Sequence, residues 1–252
     1  MWYSFLMRLH RFYIQTPITE KTFDVTDRDL VHQWRSVFRY NVGSEVVLFD
    51  GSGMDFLCII TSLRNQGATL EIVSKKHNKN MPKINLWLCL GIIKKDNFEW
   101  ATQKATELGV SHIVPILCER TEKKNLSLDR LQKIAVEASE QSGRGDVPLI
   151  HPVQTLPDLM SKMPFDMPKE KVVLHPDGEY IGDFLAKQPL EASSGRMTGS
   201  LKELAVFIGP EGGFSEAEIR QFTANSIPNI SLGPQILRAE TAAVAVSSLL
   251  LL

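Results

Sequence analysis

The sequence predicts a two-part α/β chain: a small β-barrel followed by a larger domain built on a mostly parallel sheet. Three observations carry that expectation. Short apolar runs separated by turn residues fill the first 75 positions. From Ile84 onward, strand-like runs alternate with helical patterns, the rhythm of a parallel sheet covered on both faces. The 252 residues are 43% hydrophobic and 23% charged, enough to bury a sizeable core. Those values exclude a disordered tail, a collagen-like fibre and a disulfide miniprotein.

In the first part, Arg11–Ile14, Lys21–Val25, Glu45–Gly51, Asp55–Thr61 and Ala68–Ser74 read as strands. The Gly51–Gly53 triplet makes a hairpin turn between two of them, and one helix, roughly Asp29 to Val37, interrupts the series. Several short strands in so few residues suggest a barrel. The polar, basic stretch Lys75–Lys83 contains a proline and reads as a linker. The expected division is 1–75 for the barrel, 76–83 for the linker and 84–252 for the α/β domain.

In the second part, Ile84–Ile93 is long enough for a buried strand. Asp96–Gly109 follows as a helix with Phe98, Ala101, Ala105 and Leu108 on one face. Asp96 is its expected cap, Glu99 the capping-box partner and Gly109 the stop. His112–Leu117 reads as a strand, Leu128–Gly143 as a helix and Pro148–Pro152 as a strand. Lys171–Pro176, Leu204–Gly209 and Asn229–Gly233 are strands that each lead into a helix, and Pro189–Glu203 is a Ser/Gly-rich surface insert.

Cys58, Cys89 and Cys118 form no CxxC and have no nearby histidine at metal-ligand spacing. Such a scattered, odd set reads as reduced core thiols of a cytoplasmic protein, with no metal implied; a nucleophile or zinc ligand is the alternative. The N-terminal residues lack the h-region and cleavage site of a signal peptide. The apolar end, Ala242–Leu252, is about half the length needed to span a bilayer, so no membrane partner is expected and a buried terminal helix is.

Formal charge is −1, from 28 Lys+Arg and 29 Asp+Glu, which by itself gives no support for nucleic-acid binding. The average conceals a split. Residues 1–150 carry 20 Lys+Arg and 17 Asp+Glu, whereas residues 151–252 carry 8 and 12. A mildly basic front and an acidic final third leave RNA binding open, with modest local electrostatics.

Ligands of open α/β sheets bind beyond the carboxyl ends of the strands. Three unusual loops occupy such ends: Leu174–Tyr180, Ile208–Glu218 and Leu232–Ala243. Ser215 and Glu218 form a capping box opening the helix after the second. Glycines at a strand-to-helix turn suggest phosphate binding. However, Glu211 lies inside the glycine loop, no P-loop lysine follows, and the dinucleotide fingerprint GxGxxG is missing. An acid there suits a cationic ligand or an adenosine held by backbone hydrogen bonds. Ordinary tight turns are the alternative, and explain one such loop more readily than three.

The segments IGPEGGFSEAEI and LGPQILRAETAAVAV resemble the signature of the bacterial RsmE family. That family comprises small-subunit (16S) rRNA uridine-N3 methyltransferases of the SPOUT superfamily. The resemblance extends through RFYI, HQWRSVFRYNVGSEVVLFDGSG, QKATELGVSHIVPI and EASEQSGR, in order over most of the chain. One departure is Val37–Phe38–Arg39, where Val-Leu-Arg is usual. The resemblance implies a SPOUT-type parallel sheet with a C-terminal trefoil knot, an N-terminal PUA-like β-barrel that contributes to RNA recognition, and S-adenosylmethionine as cofactor. It also implies a cytoplasmic homodimer acting on 16S rRNA in the small ribosomal subunit. The apolar terminal helix would then suit the dimer interface, with burial inside one subunit as the competing explanation.

Carried onto this chain, Leu174, His175 and Pro176 match the first cofactor loop. Gly209, Pro210, Glu211, Gly212 and Gly213 match the second, and Leu232, Gly233, Ile236, Leu237, Arg238, Thr241 and Ala242 the third. Methylating uracil N3 removes an imide proton and leaves charge on the flanking carbonyl oxygens, which an arginine stabilises in a water-poor site. Arg238 is the candidate; an ion pair with Glu240 or Glu211 is its alternative reading. Glu240 is a candidate base or an orienting group for Arg238, with deprotonation by solvent as the alternative. The target base must be single-stranded or flipped out. Arg8, Arg11, Arg35, Arg39, Lys94, Arg120 and Arg144 are candidate phosphate contacts, each otherwise a solvated charge. Trp34, Phe38 and Tyr40 are stacking candidates or core residues. Two rival functions remain: a non-catalytic RNA-binding or ribosome-assembly protein, and an adenine-nucleotide enzyme with an unusual glycine loop.

Overall fold

The computed structural model describes residues 9–82, 84–122, 125–161, 167–187 and 201–252. Arg8 and most of the insert expected at 189–203 lie outside the described residues. The chain divides into two compact units, residues 1–81 with 139–146, and residues 82–138 with 147–252.

The first unit holds β1 (Arg11–Tyr13), β2 (Thr22–Val25), α1 (Arg28–Ser36), β3 (Glu45–Phe49), β4 (Met54–Arg64) and β5 (Gly67–His77). Its sheet runs β1-β3-β4-β5-β2, antiparallel except for the parallel β1–β3 pair. Asp27 starts α1 by accepting hydrogen bonds from the amides of Asp29 and Leu30, 3.0 and 3.1 Å. Leu30, Val31 and Trp34 then face a core that includes Phe12, Leu48, Ile60 and Leu70. In the β3–β4 hairpin, Gly51 and Gly53 take φ of +84° and +77°, a backbone that a side chain would strain. Trp34 is fully buried and edge-on to Phe12, so it cannot stack on a base.

Two expectations about the boundary are corrected. The linker reading of 76–83 overlaps β5, which continues to His77, and the next residue, Asn78, is buried. The Asn78 amide donates to Asp55 Oδ1 and to the Gly143 carbonyl, 2.9 and 3.0 Å. Residues 139–146, placed by the sequence in the second domain, belong to the first unit. Polar bonds recruit them: besides Asn78, Arg11 donates to the Arg144 carbonyl at 3.1 Å and the Tyr13 amide to Glu140 Oε1 at 2.9 Å. Such long-range partners leave no periodicity in the sequence.

The second unit contains β6 (Asn85–Gly91), α2 (Lys95–Leu108), β7 (His112–Leu117), α3 (Leu128–Ser142, whose end joins the first unit), β8 (Leu149–Ile150), β9 (Gln154–Thr155) and α4 (Leu156–Ser161). It continues with β10 (Lys171–Tyr180), α5 (Ile181–Ala186), β11 (Glu203–Ile208), α6 (Glu216–Ala224), β12 (Asn229–Ser231) and α7 (Ala239–Leu251). The sheet order is β12-β10-β11-β6-β7-β8, with β9 beside β7, and every pair is parallel. Strand alternation divides the core. Leu86, Leu88 and Leu90 pack with residues of α2, α5 and α7, whereas Trp87 and Cys89 pack with α4 and α6.

The expected capping of α2 by Asp96 is also corrected. The N-cap is Lys94, without a side-chain cap, and Asp96 lies in the first turn. A carboxylate from another loop, Glu211, accepts the Lys94 amide at 3.0 Å, and Glu99 instead pairs with Lys95 and Arg130. The Gly109 stop and the Ser215–Glu218 capping box are as predicted. In α7, Ala239, Ala242, Ala243, Val246, Ser247 and Leu250 are buried, while Leu249 remains exposed. No helix among the described residues is long and apolar enough to cross a membrane.

Candidate active site

The carboxyl ends of β10, β11 and β12 surround a cavity of about 600 Å³. Its first wall is a bulge within β10 rather than a loop that ends the strand. Leu174 and Glu179 both register with Ile230, so residues 175–178 are looped out between them. Gly178 is required by this arrangement, because a Cβ there would lie 2.5 Å from the Ile230 backbone. His175 Nδ1 accepts the Asp177 amide at 3.2 Å, shaping the bulge from within.

The glycine loop after β11 forms the second wall. Gly213, at φ +66°, turns the chain and its amide donates to the Pro210 carbonyl, 2.8 Å. Gly91 at the end of β6 allows the loop to approach, since a Cβ there would lie 2.6 Å from Pro210 N. Glu218 is buried and works twice. Its Oε2 accepts the Ser215 amide at 2.8 Å, and its Oε1 accepts the Glu119 amide at 2.9 Å. The third wall is the turn from β12 into α7, where Ser231 Oγ donates to the Gly233 carbonyl at 3.0 Å.

Of the cofactor candidates, Leu174, His175, Pro176, Gly209, Pro210, Glu211, Gly213, Leu232, Gly233, Ile236, Leu237, Arg238 and Ala242 line this cavity. Gly212 and Thr241 do not: Gly212 backs onto Arg120, and Thr241 is exposed on α7. Both catalytic candidates line it. Arg238 is exposed at the N-cap of α7 and makes no ion pair among the described residues, so the expected alternative pairing with Glu240 or Glu211 is absent there. Glu240 Oε1 accepts from the Asn97 side-chain amide at 3.1 Å, and Glu240 Oε2 is buried without a hydrogen-bond partner. An unsatisfied buried carboxylate oxygen is costly unless a ligand completes it.

The basic candidates separate. Lys94 and Arg120 line the cavity, and neither forms an ion pair among the described residues. Arg35 and Arg39 share a second, polar concavity in the first unit with Tyr40, Asn41 and Val42. Arg39 is exposed there at φ +55°, a conformation unfavourable for a side chain and frequent at functional positions. The expectation for Arg11 and Arg144 is corrected. Arg11 is bidentate to Asp55, 2.7 and 2.9 Å, and buried Arg144 is bidentate to Asp146, 2.8 and 2.9 Å. A guanidinium held in this way is a structural ion pair, not a phosphate contact.

Several wall residues escaped sequence reasoning. Ile208, Phe214, Gln235 and Ala239 lie within the second and third loops without being singled out by the motif match, and Ile230 and Ser231 immediately precede the third loop. Asn97 had no signal, since only folding brings α2 to α7. The three thiols are buried, and burial raises those of Cys58 and Cys118 to about 12, the Cys118 value also reflecting the nearby Glu218 charge. They are neutral at physiological pH and inert as nucleophiles. Among the described residues, no group of three or more His, Cys, Asp or Glu is placed to hold a metal ion.

A parallel sheet with three strand-end loops around one apolar-walled cleft matches a known class of enzyme. The profile of a family described as RNA methyltransferase domain matches residues 79–251. Bacillus subtilis ribosomal RNA small subunit methyltransferase E is 32% identical, with 88% of this chain and 86% of the relative covered. The Rickettsia conorii protein of the same name is 29% identical, over 94% and 93%. The chain belongs to the ribosomal RNA small subunit methyltransferase E family, RsmE. Among solved structures, a Legionella pneumophila methyltransferase in complex with S-adenosylmethionine superposes with a TM-score of 0.81 at 26% identity, over 96% of this chain and 97% of that one. The Neisseria gonorrhoeae ribosomal RNA small subunit methyltransferase E bound to S-adenosylmethionine gives 0.78 at 27%, over 95% of both.

Proposed function

We propose that this chain methylates N3 of a specific uridine in 16S rRNA of the small ribosomal subunit, using S-adenosylmethionine. The observation that carries the reading is the cavity of about 600 Å³ bounded by the three family loops. Its features suit the cofactor. Leu174, Ile208, Ile230, Leu232 and Leu237 supply apolar walls, and strand-end backbone groups suit adenine. The Glu211 and Glu240 carboxylates favour a cationic ligand. When bound, the cofactor supplies an electrophilic methyl on a sulfonium.

Every other contribution belongs to the chain. Arg238 stabilises the negative charge that develops on the uracil carbonyl oxygens; its exposed guanidinium is not neutralised by a carboxylate among the described residues. Glu240 accepts the N3 proton, oriented by the Asn97 amide on its other oxygen. Lys94 stands at the rim to meet RNA phosphate, while Arg35 and Arg39 of the first unit hold a second stretch of backbone.

The finer architecture belongs to the same proposal. Residues 84–252 act as a SPOUT domain with a C-terminal trefoil knot, and the first unit acts as a PUA-like barrel that recognises RNA. The all-parallel sheet, with β12 beyond β10 from β11, and the cavity at the carboxyl ends of those strands support the SPOUT reading. The exposed Leu249 of α7 supports a homodimer, and the rRNA substrate supports a cytoplasmic location.

Methyl transfer from labelled cofactor to 30S particles and to free rRNA, followed by nucleoside analysis, tests the reading. N3-methyluridine is the expected product, and label on any other nucleoside refutes the substrate. Tight ATP binding without S-adenosylmethionine binding in calorimetry refutes the cofactor.

A further inference from the structure

The turn Cys118–Thr121 follows β7 and lies outside the three cofactor loops. It is locked from within: the Cys118 amide donates to Thr121 Oγ1 at 3.0 Å, and the Thr121 amide to the Cys118 carbonyl at 3.1 Å. Three hydrogen bonds join this turn to the glycine loop after β11 and to the helix that the loop opens. The Glu119 amide donates to Glu218 Oε1 at 2.9 Å. Arg120 Nη1 donates to the carbonyls of Gly212 and Phe214, 3.0 and 3.2 Å. The Arg120 stem covers Gly212, where an added Cβ would come within 3.2 Å of Arg120 Cβ.

We propose that Arg120 is a positioning residue, which holds the Gly209–Phe214 loop in the shape that accepts the cofactor. The loop is poorly equipped to hold itself. It has two consecutive glycines, Gly212 and Gly213, and glycine has the most backbone freedom to lose. Its own backbone contributes the Gly213–Pro210 hydrogen bond. Arg120 spans that bond from outside, binding one carbonyl within the glycine pair and one just past it. Hydrogen bonds from a cationic donor are stronger than neutral ones, and a planar guanidinium gives its acceptors a defined direction. The clamp is also reciprocal. Glu119 is held by the helix that follows the loop, and Arg120 holds the loop, so the turn and the glycine loop shift as one body.

This inference rests on the S-adenosylmethionine reading, yet its first readout needs no cofactor. In Arg120→Met the apolar stem over Gly212 remains, while the donors and the charge are lost. Arg120→Lys retains a cation of similar length. Amide exchange in the cofactor-free chain is expected to quicken at Gly213 and Ser215 in Arg120→Met. Calorimetry is expected to show S-adenosylmethionine affinity falling about ten-fold, roughly 1.4 kcal/mol, with partial rescue by Arg120→Lys. KM for the cofactor should rise while kcat at saturation changes by less than about three-fold. Affinity for an rRNA fragment and its salt dependence should match the wild type. Unchanged exchange together with unchanged cofactor affinity overturns the proposal. Loss of rRNA affinity with a salt slope smaller by about one, at wild-type cofactor affinity, overturns it in favour of a phosphate contact. Failure of the wild type itself to bind S-adenosylmethionine defeats the functional reading instead, and the exchange result still decides whether Arg120 holds the loop.

Discussion

Replacing Gly91 by alanine isolates the approach of the glycine loop to the sheet. Gly91 ends β6, is buried, and does not occupy the left-handed region, so alanine is acceptable to its own backbone. The added Cβ would lie 2.6 Å from Pro210 N, 2.7 Å from Pro210 Cδ and 3.0 Å from Gly209 C. Real Cβ contacts essentially never fall under 3.0 Å, so a shift of at least about 0.4 Å is forced. No rotamer change relieves it, because the partners are backbone and a proline ring. β6 is paired on both sides, with β11 and β7, so the loop moves rather than the strand. Ordinary van der Waals contact begins at 3.4 Å, so full relief takes about 0.8 Å. That exceeds the roughly 0.5 Å within which a binding constellation must be held, and overpacking costs roughly 1–3 kcal/mol. Gly91→Ala is therefore expected to lower urea stability within that range and to weaken S-adenosylmethionine binding about ten-fold. Calorimetry and denaturant titration measure the two effects. Wild-type affinity at wild-type stability would refute the argument that this contact sets the loop.

Further substitutions probe the other parts. Arg238→Ala should reduce methyl transfer roughly 10²–10³-fold while cofactor affinity changes by less than about three-fold, as measured by single-turnover kinetics and calorimetry. Asp55→Ala leaves Arg11 buried without its carboxylate and removes an acceptor of Asn78, so urea unfolding should show a loss of roughly 3–5 kcal/mol. Glu218→Ala removes the capping box and the acceptor of the Glu119 amide, which should cost roughly 2–3 kcal/mol in the same assay. Burial raises the thiols of Cys58 and Cys118 from 9.0 to about 12, with the Glu218 charge adding to the shift at Cys118. Their contribution to stability is complete below pH 9 and declines as pH rises toward 12. Urea stability should therefore fall more steeply above pH 9 in the wild type than in a Cys58→Ala/Cys118→Ala variant.

Much of the fold was legible because burial imposes local periodicity. Most strands of both units, the α1 and α2 segments and the Ser215–Glu218 capping box are legible within a few residues of chain, whereas the two-residue β9 is not. Boundaries set by distant polar groups did not. Asp96 reads as a cap, but the N-cap is Lys94, whose amide finds its acceptor in Glu211, 117 positions away. The last turn of α3 is held to the first unit by the Tyr13 amide on Glu140, and the residues just past it by Asn78 and Arg11. The candidate site shows the same division. Its three loops were readable as motifs, whereas Asn97 and the loop-holding role of Arg120 were not.

Charge illustrates the difference most directly. Seven basic residues were equivalent as letters in the sequence. Of the six among the described residues, folding buried Arg144 and largely buried Arg11 in bidentate pairs, turned Arg120 onto two carbonyls, and left Lys94, Arg35 and Arg39 exposed. The sequence by itself determined most of the elements, the parallel character of the second sheet, the three loops and, through resemblance, the family. Tertiary structure alone decided which polar groups meet, because hydrophobic pattern acts over neighbouring residues while a hydrogen bond depends on where distant chain segments come to rest.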